Sequence, residues 1–243
     1  MQDQSAIPSG ACATAAATAA ATAAATAAAT ATAAATAAAR AVVWVVDDDA
    51  SIRQALSNLL RSEGLDARTF GSAEEMLAGG LPTVPTCIIL DVRLRGLSGL
   101  DLQARLSPGD APFSIVFISG HADVRMTATA MKAGAVDFIA KPFTDEDLLG
   151  AVHAALDKAR ARHETARHAR TLRERYATLS PREQQVMRLA AAGLLNKQIA
   201  AKADISEATV KIHRGNAMRK MQARTFADLV LLAQSMGLLE AGD

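Results

Sequence analysis

The sequence predicts an α/β protein: a five-stranded parallel, doubly wound sheet followed by a smaller all-α unit. Three observations lead there. From residue 41 onward, short apolar runs alternate five times with helix-like segments over about 115 residues, the pattern of consecutive βα units with right-handed crossovers. Past residue 145 the strand and helix alternation ends and only helical segments follow. Setting aside the first 39 residues leaves about 200, enough for one medium and one small domain, each with its own core.

The first strand is the unbroken apolar run 41–46, which reads as buried on both faces. A helix follows with Ile52, Leu56, Leu59 and Leu60 on one stripe, ended by Gly64. A short strand over 67–70 leads to a helix opened by the capping box Ser72-Ala73-Glu74-Glu75. The run 87–90 is the third strand and 115–118 the fourth. A helix over 124–132 stops at Gly134, the fifth strand covers 136–140, and a last helix starts at Thr144 with three acids in its first turn.

Residues 145–177 read as one long helix, apolar at Leu148, Val152, Ala155, Leu156 and Ala159 and mostly charged beyond Lys158. Its second half, within a linker placed at 158–178, is expected to be a solvated connector. Ser180-Pro181-Arg182-Glu183 then joins a capping Ser, a Pro at the first helical position and a Glu that closes the box. Val186, Leu189 and Ala190 carry the stripe and Gly193 stops it. A short helix from Asn196 to Lys202, a tight turn at Ala203-Asp204-Ile205, a helix from Ser206 to Met221 and one capped by Thr225 and Asp228 complete the unit. Two short helices joined by a tight turn, the second rich in Lys, His and Arg, form a helix-turn-helix.

The averages of 50% hydrophobic and 3% aromatic residues are distorted by residues 11–39, which hold only Ala, Thr and Cys12. This tract repeats Thr-Ala-Ala-Ala, lacks Leu, Ile, Val and Phe, and has no basic residue ahead of it, which disfavours a membrane span or a signal peptide. Regularly spaced Thr weakens the helix that Ala favours, so a fluctuating, disordered tail over 1–39 is expected. A translation start downstream of the repeat is also compatible with it. The net charge of +1 hides a polarity: ten basic against fifteen acidic residues over 40–150, but seven against three over 157–176 and nine against six over 180–243. A polyanion is therefore expected to meet the C-terminal part. Two cysteines, Cys12 and Cys87, support neither a disulfide framework nor a metal cluster and suit a reducing cytoplasm.

In doubly wound sheets, ligands sit at the carboxyl ends of the strands. Here the first strand runs into Asp47-Asp48-Asp49, the third into Asp91, the fourth into Ser119 and the fifth into Lys141-Pro142. Acids gathered at strand ends repel one another unless a cation shares them, and an all-oxygen site suits magnesium. A carboxylate beside such an ion can attack a phosphoryl group while a lysine and a hydroxyl stabilise its oxygens.

The segments VVWVVDDDASIR, CIILDVRLRGLSGLDL and IVFISGHADVRMTATAMKAGAVDFIAKPF resemble the receiver domain of bacterial two-component response regulators, a flavodoxin-like fold, over 40–157. The resemblance implies that Asp91 accepts the phosphoryl group. It further implies that Asp48, Asp91 and the backbone carbonyl of Arg93 bind Mg²⁺, with Asp47 helping through water. Ser119 and Lys141 would contact the phosphoryl group, and Phe138 matches the switch aromatic. The family usually has Met-Pro where this chain has Leu94-Arg95, so the loop after Asp91 lacks its stiffening proline; Gly99, the expected turn glycine, is present.

LSPREQQVMRLAAAGLLNKQIAAKADISEATVKIHRGNAMRKM resembles the LuxR-type helix-turn-helix, placed at 179–243, and the pairing resembles the FixJ-type subfamily. Ala203-Asp204 replaces the usual Leu-Gly, which requires Asp204 to accept a left-handed conformation. Gly215 costs about 1 kcal/mol relative to Ala in a helix interior, and a close approach to DNA or to a neighbouring helix would account for it. Lys197, Thr209, Val210, Lys211, His213 and Arg214 are the candidate DNA contacts, with Val210 open to packing instead. The resemblance implies a cytoplasmic, non-enzymatic transcription regulator with a sensor histidine kinase, promoter DNA and RNA polymerase as partners and a homodimer on phosphorylation. The competing reading is a phosphatase of the haloacid dehalogenase class, disfavoured because its nucleophile belongs after the first strand, whereas the sole Asp immediately after an apolar third strand here is Asp91, and no cap domain is visible.

Overall fold

The computed structural model describes residues 41–106, 111–120 and 123–238. The Ala/Thr tract, with the readings made of it, and residues 239–243 lie outside that range. The chain divides into two compact units between Arg160 and Ala161.

In the first unit, β1 (Val42–Val46), β2 (Asp66–Phe70), β3 (Thr86–Asp91), β4 (Phe113–Ser119) and β5 (Asp137–Ala140) form one parallel sheet in the order β2-β1-β3-β4-β5. The helices are α1 (Ala50–Ser62), α2 (Ala73–Ala78), α3 (Gly99–Arg105), α4 (Val124–Lys132) and the start of α5 (Asp145–Ala177). This is the doubly wound sheet the alternation predicts. Alternate residues of the central strands feed two cores, one on each face. Trp44, Val46, Ile88, Leu90, Ile115 and Phe117 pack with Phe70, Met76 and Leu102. Val43, Val45, Cys87, Ile89, Val116 and Ile118 pack with Leu56, Leu60, Leu148, Val152 and Leu156. Burial on both sides is why β1, β3 and β4 read as continuous apolar runs. Burial also pushes the Cys87 thiol far up its pKa scale, leaving it an inert core residue.

Two local readings change. Ser72 caps α2 by accepting the Glu75 N–H, but Glu75 does not return the bond to Ser72; its carboxylate accepts the N–H of Gly71, one residue earlier. The helix between β3 and β4, given no bounds by the sequence reading, is the seven-residue α3, capped by Ser98 on the Asp101 N–H.

The second unit contains α6 (Pro181–Ala191), α7 (Asn196–Ala203), α8 (Glu207–Met221) and α9 (Phe226–Ser235). Ser180 and Glu183 form the reciprocal capping box on α6, and Thr225 and Asp228 do so on α9. Asp204 ends α7 at φ 53, ψ 52, the left-handed conformation its position requires. Leu179, Met187, Ala217, Met221 and Leu229 form one core cluster; Val186, Ala190, Ile199 and Val210 form another. A Cβ placed on Gly215 would meet open space, so no neighbouring helix accounts for this glycine.

Candidate functional site

Strand order reverses direction between β1 and β3, and that crevice receives the two key acids. The register pairs Val46 with Leu90 and Asp91 with Ile118, so Asp47 and Asp91 emerge side by side at the carboxyl edge. Asp47 is fully buried and Asp91 nearly so. Lys141, arriving from the end of β5, lies between them: its Nζ donates to Asp47 Oδ2 at 2.9 Å and to Asp91 Oδ2 at 2.8 Å. The remaining carboxylate oxygens bind main chain, Asp47 Oδ1 accepting from Asp49 N and Asp91 Oδ1 from Arg93 N. The Lys141–Pro142 bond is cis, and the Lys141 N–H donates to the Ser119 carbonyl at 2.7 Å, tying the ends of β4 and β5 together.

The electrostatics follow from burial. Desolvation pushes the Asp47 carboxyl above the usual aspartate value, although Lys141 and the Asp49 N–H pull the other way. Desolvation would lower Lys141, but its bonds to Asp91 and Asp47 outweigh that and hold it above the ordinary lysine value, a fixed cation. Two buried acids sharing one ammonium form a site with more negative than positive charge, the condition that draws a further cation or an electrophilic group.

The other candidates fall into place around this pair. Ser119 is fully buried at the end of β4. Phe138, half-buried on edge strand β5, places its ring 6.1 Å from that of Phe117. Asp48 is half-buried, and its Oδ2 accepts from Arg95 Nε at 2.9 Å. No group of three acidic, His or Cys side chains among the described residues is arranged to hold a metal. The donors themselves, carboxylates and the Arg93 carbonyl at strand ends, are hard oxygens that fit magnesium. Asp49 is not one of them: its carboxylate caps α1 by accepting from Ser51 and Ile52, bonds that hold it below the usual aspartate value. Gly99 is required by close approach, since a Cβ there would stand 2.3 Å from the Asp91 carbonyl oxygen.

On the helix-turn-helix, Lys197 and Lys211 are exposed, whereas Thr209, His213 and Arg214 are half-buried. Val210 corrects the expectation: it is fully buried against Val186, Ala190 and Ile199, a packing residue and not a surface contact. The Thr209 hydroxyl pairs with that of Ser206 at 2.8 Å. His213 Nδ1 is buried without a hydrogen-bond partner. Arg214 is engaged within the domain, donating to Asn196 Oδ1 at 3.2 Å and lying 4.6 Å over the Phe226 ring. The sequence reading missed Ile212, which is 62% exposed on α8 beside Lys211. The signal was available: Val210, Ala217 and Met221 define the buried stripe, and Ile212 falls outside it.

A doubly wound sheet that gathers two acids and a lysine at its switch point, followed by a helix-turn-helix, is the architecture of a receiver domain joined to a DNA-binding domain. The chain belongs to the response regulators of two-component systems, with a receiver domain and a LuxR-type DNA-binding domain. The family described as "Response regulator receiver domain" matches residues 43–153, and "Bacterial regulatory proteins, luxR family" matches 177–233. Among its relatives is Nodulation protein W of Bradyrhizobium diazoefficiens, 52% identical over 198 residues, spanning 82% of this chain and 87% of that protein. Transcriptional regulatory protein FixJ of the same organism is 41% identical over 198 residues, spanning 81% and 96%. The solved structure of the response regulator StyR superposes with a TM-score of 0.73 at 43% identity, covering 81% of this chain and 99% of that one. No helix among the described residues is long and apolar enough to cross a membrane.

Proposed function

We propose that Asp91 accepts a phosphoryl group from a partner sensor histidine kinase and that this modification controls DNA binding by the C-terminal domain. The observation that carries the reading is the buried triad of Asp47, Asp91 and Lys141. An Asp91 carboxylate oxygen attacks phosphorus, forming an O–P bond as the donor's N–P bond breaks and its electron pair stays on the histidine nitrogen. Lys141, already a fixed cation 2.8 Å from Asp91, stands ready to stabilise the incoming phosphoryl oxygens. Ser119, at the end of the neighbouring strand, supplies a hydroxyl on the other side.

Asp48, Asp91 and the Arg93 carbonyl would hold Mg²⁺, with Asp47 acting through water. Bound there, the ion supplies charge neutralisation of the phosphoryl oxygens. The new phosphoryl group adds about −1.5 to −2 charge. Lys141 and Ser119 then follow that charge, and Phe138, on the edge strand that leads into Lys141, reports the movement to the surface.

The expected consequences are homodimerisation and binding to paired promoter half-sites, where RNA polymerase is the downstream partner. A cytoplasmic location follows from the DNA partner. Lys197, Lys211 and Thr209 are the proposed contacts, joined by Ile212. His213 is a further candidate, and Arg214 acts first by fixing α8 to α9. We read the chain as a regulator and not a phosphatase, because Asp49, the second acid of an Asp-x-Asp pair, is spent capping α1.

Incubation with acetyl phosphate and MgCl₂, followed by separation of phosphorylated from unmodified protein, tests the reading. Wild type is expected to be modified and Asp91→Asn is not; equal modification of both would reject Asp91 as the acceptor.

A further inference from the structure

The loop between β3 and α3 carries Leu94-Arg95 in place of Met-Pro, and it is pinned on both sides of Arg95. Leu94 is buried in the core. On the other side, Glu74 of α2 accepts the Leu97 N–H at 3.3 Å. Gly96 lies between them at φ +86, a left-handed conformation that favours glycine, with Glu74 Oε1 3.0 Å from where a Cβ would stand. The Glu74 carboxyl is held below the usual glutamate value by backbone N–H bonds, its own first and that of Leu97 next, so it stays an anion at neutral pH. A loop without its proline is thus tied down by a carboxylate from α2.

What the pinned loop presents is the Arg95 guanidinium. Its Nε donates to Asp48 Oδ2 at 2.9 Å, across 47 residues of sequence, while the rest of the side chain is 89% exposed. Asp48 is thereby engaged by a cation other than Lys141. The three acids of the crevice are split between two protein cations: Lys141 takes Asp47 and Asp91, and Arg95 takes Asp48.

We infer that Arg95 is a built-in competitor for the cation site: the guanidinium occupies Asp48, and a divalent ion must displace it before Asp48 can act as a ligand. This rests on the reading of Asp48 as an Mg²⁺ ligand. Arg95 acts in two ways. It occupies one of the two Asp48 carboxylate oxygens, and its positive charge lowers the local concentration of cations. Because the guanidinium is exposed, the exchange is shallow, and the pair is worth up to about a fivefold change in an equilibrium constant. The outcome is a receiver whose metal loading, and with it readiness to accept a phosphoryl group, responds to Mg²⁺ over a higher range than a proline-bearing loop would give.

The test titrates full-length protein with MgCl₂ and reads the dissociation constant by calorimetry, with no phosphoryl donor present. Arg95→Gln is expected to tighten Mg²⁺ binding by about two- to fivefold and Arg95→Glu further, with unchanged circular dichroism. In ¹H–¹⁵N spectra of wild type, the Arg95 Nε–H signal, assigned by its loss in Arg95→Gln, is expected to shift as MgCl₂ is added. If wild type binds Mg²⁺ and Arg95→Gln binds with the same constant, the competitor role is rejected while the metal site stands. If neither protein responds to MgCl₂, the metal site itself is rejected, and this inference with it.

Discussion

The two halves of the molecule spend their polar residues differently. In the receiver, Asp47, Asp91 and Lys141 come from three strand ends, 50 and 94 residues apart along the chain, and are withdrawn from water into one cluster. In the DNA-binding domain the helix starts are held by local bonds: Ser180 with Glu183, Ser206 with Thr209, Thr225 with Asp228, each three residues apart. The contrast separates a site that works by stored charge from a surface that works by accumulation. A buried cluster with surplus negative charge is one event away from rearrangement, and altering any member changes the others. Exposed basic residues on a rigid helix add their contributions nearly independently.

Changes at the receiver cluster should therefore be large and coupled. Asp91→Asn is expected to abolish phosphoryl acceptance altogether. Lys141→Met leaves two buried acids without their cation and is expected to cost on the order of 2 to 3 kcal/mol in urea unfolding at neutral pH, less than for a fully buried pair because the Lys141 side chain is 20% exposed. A double-mutant cycle of Lys141→Met with Asp47→Asn should show strong coupling; additivity would break the comparison.

Smaller effects are expected across the second domain. Ser180→Ala removes the N-cap of α6 and should cost about 1 kcal/mol, read from thermal unfolding. Glu183, the other half of that box, is held below its ordinary value of 4.5 by its bond to Lys220 and by the Ser180 N–H, against the effect of burial. Its contribution to stability is then fully present above about pH 4.5 and is lost as pH falls through the depressed folded-state value. Glu183→Gln should flatten that part of the stability–pH curve. Smallest of all, Lys211→Ala should weaken DNA binding across sequences and reduce the slope of log affinity against log salt by about 1.

The same contrast governs what could be read from the sequence. Local signals carried the helix ends: the boxes at Ser180 and Thr225, the cap at Ser206 and the left-handed Asp204 all lie within four residues of what they satisfy. Strand-end position was enough to single out Asp47, Asp91, Ser119 and Lys141, because parallel strands deliver their last residues to one edge whatever the intervening chain. The failures have physical reasons. α3 is seven residues long, too short for periodicity to mark its bounds. Val210 sits on a helix whose apolar residues can either pack or meet base edges, and only the buried stripe it shares with Ala217 and Met221 decides for packing. Arg95 meeting Asp48, and Glu74 meeting Leu97, depend on how two loops converge above the sheet, which no spacing encodes.

The central claim is that charge arriving at Asp91 governs the DNA-binding surface. The direct measurement is the affinity of the full chain for a duplex selected from a random pool, at fixed salt, with and without acetyl phosphate and MgCl₂, in wild type and Asp91→Asn. A rise in affinity on phosphorylation in wild type alone is the predicted result. Equal affinity in all four conditions would contradict it, leaving a DNA-binding protein whose receiver does not control it.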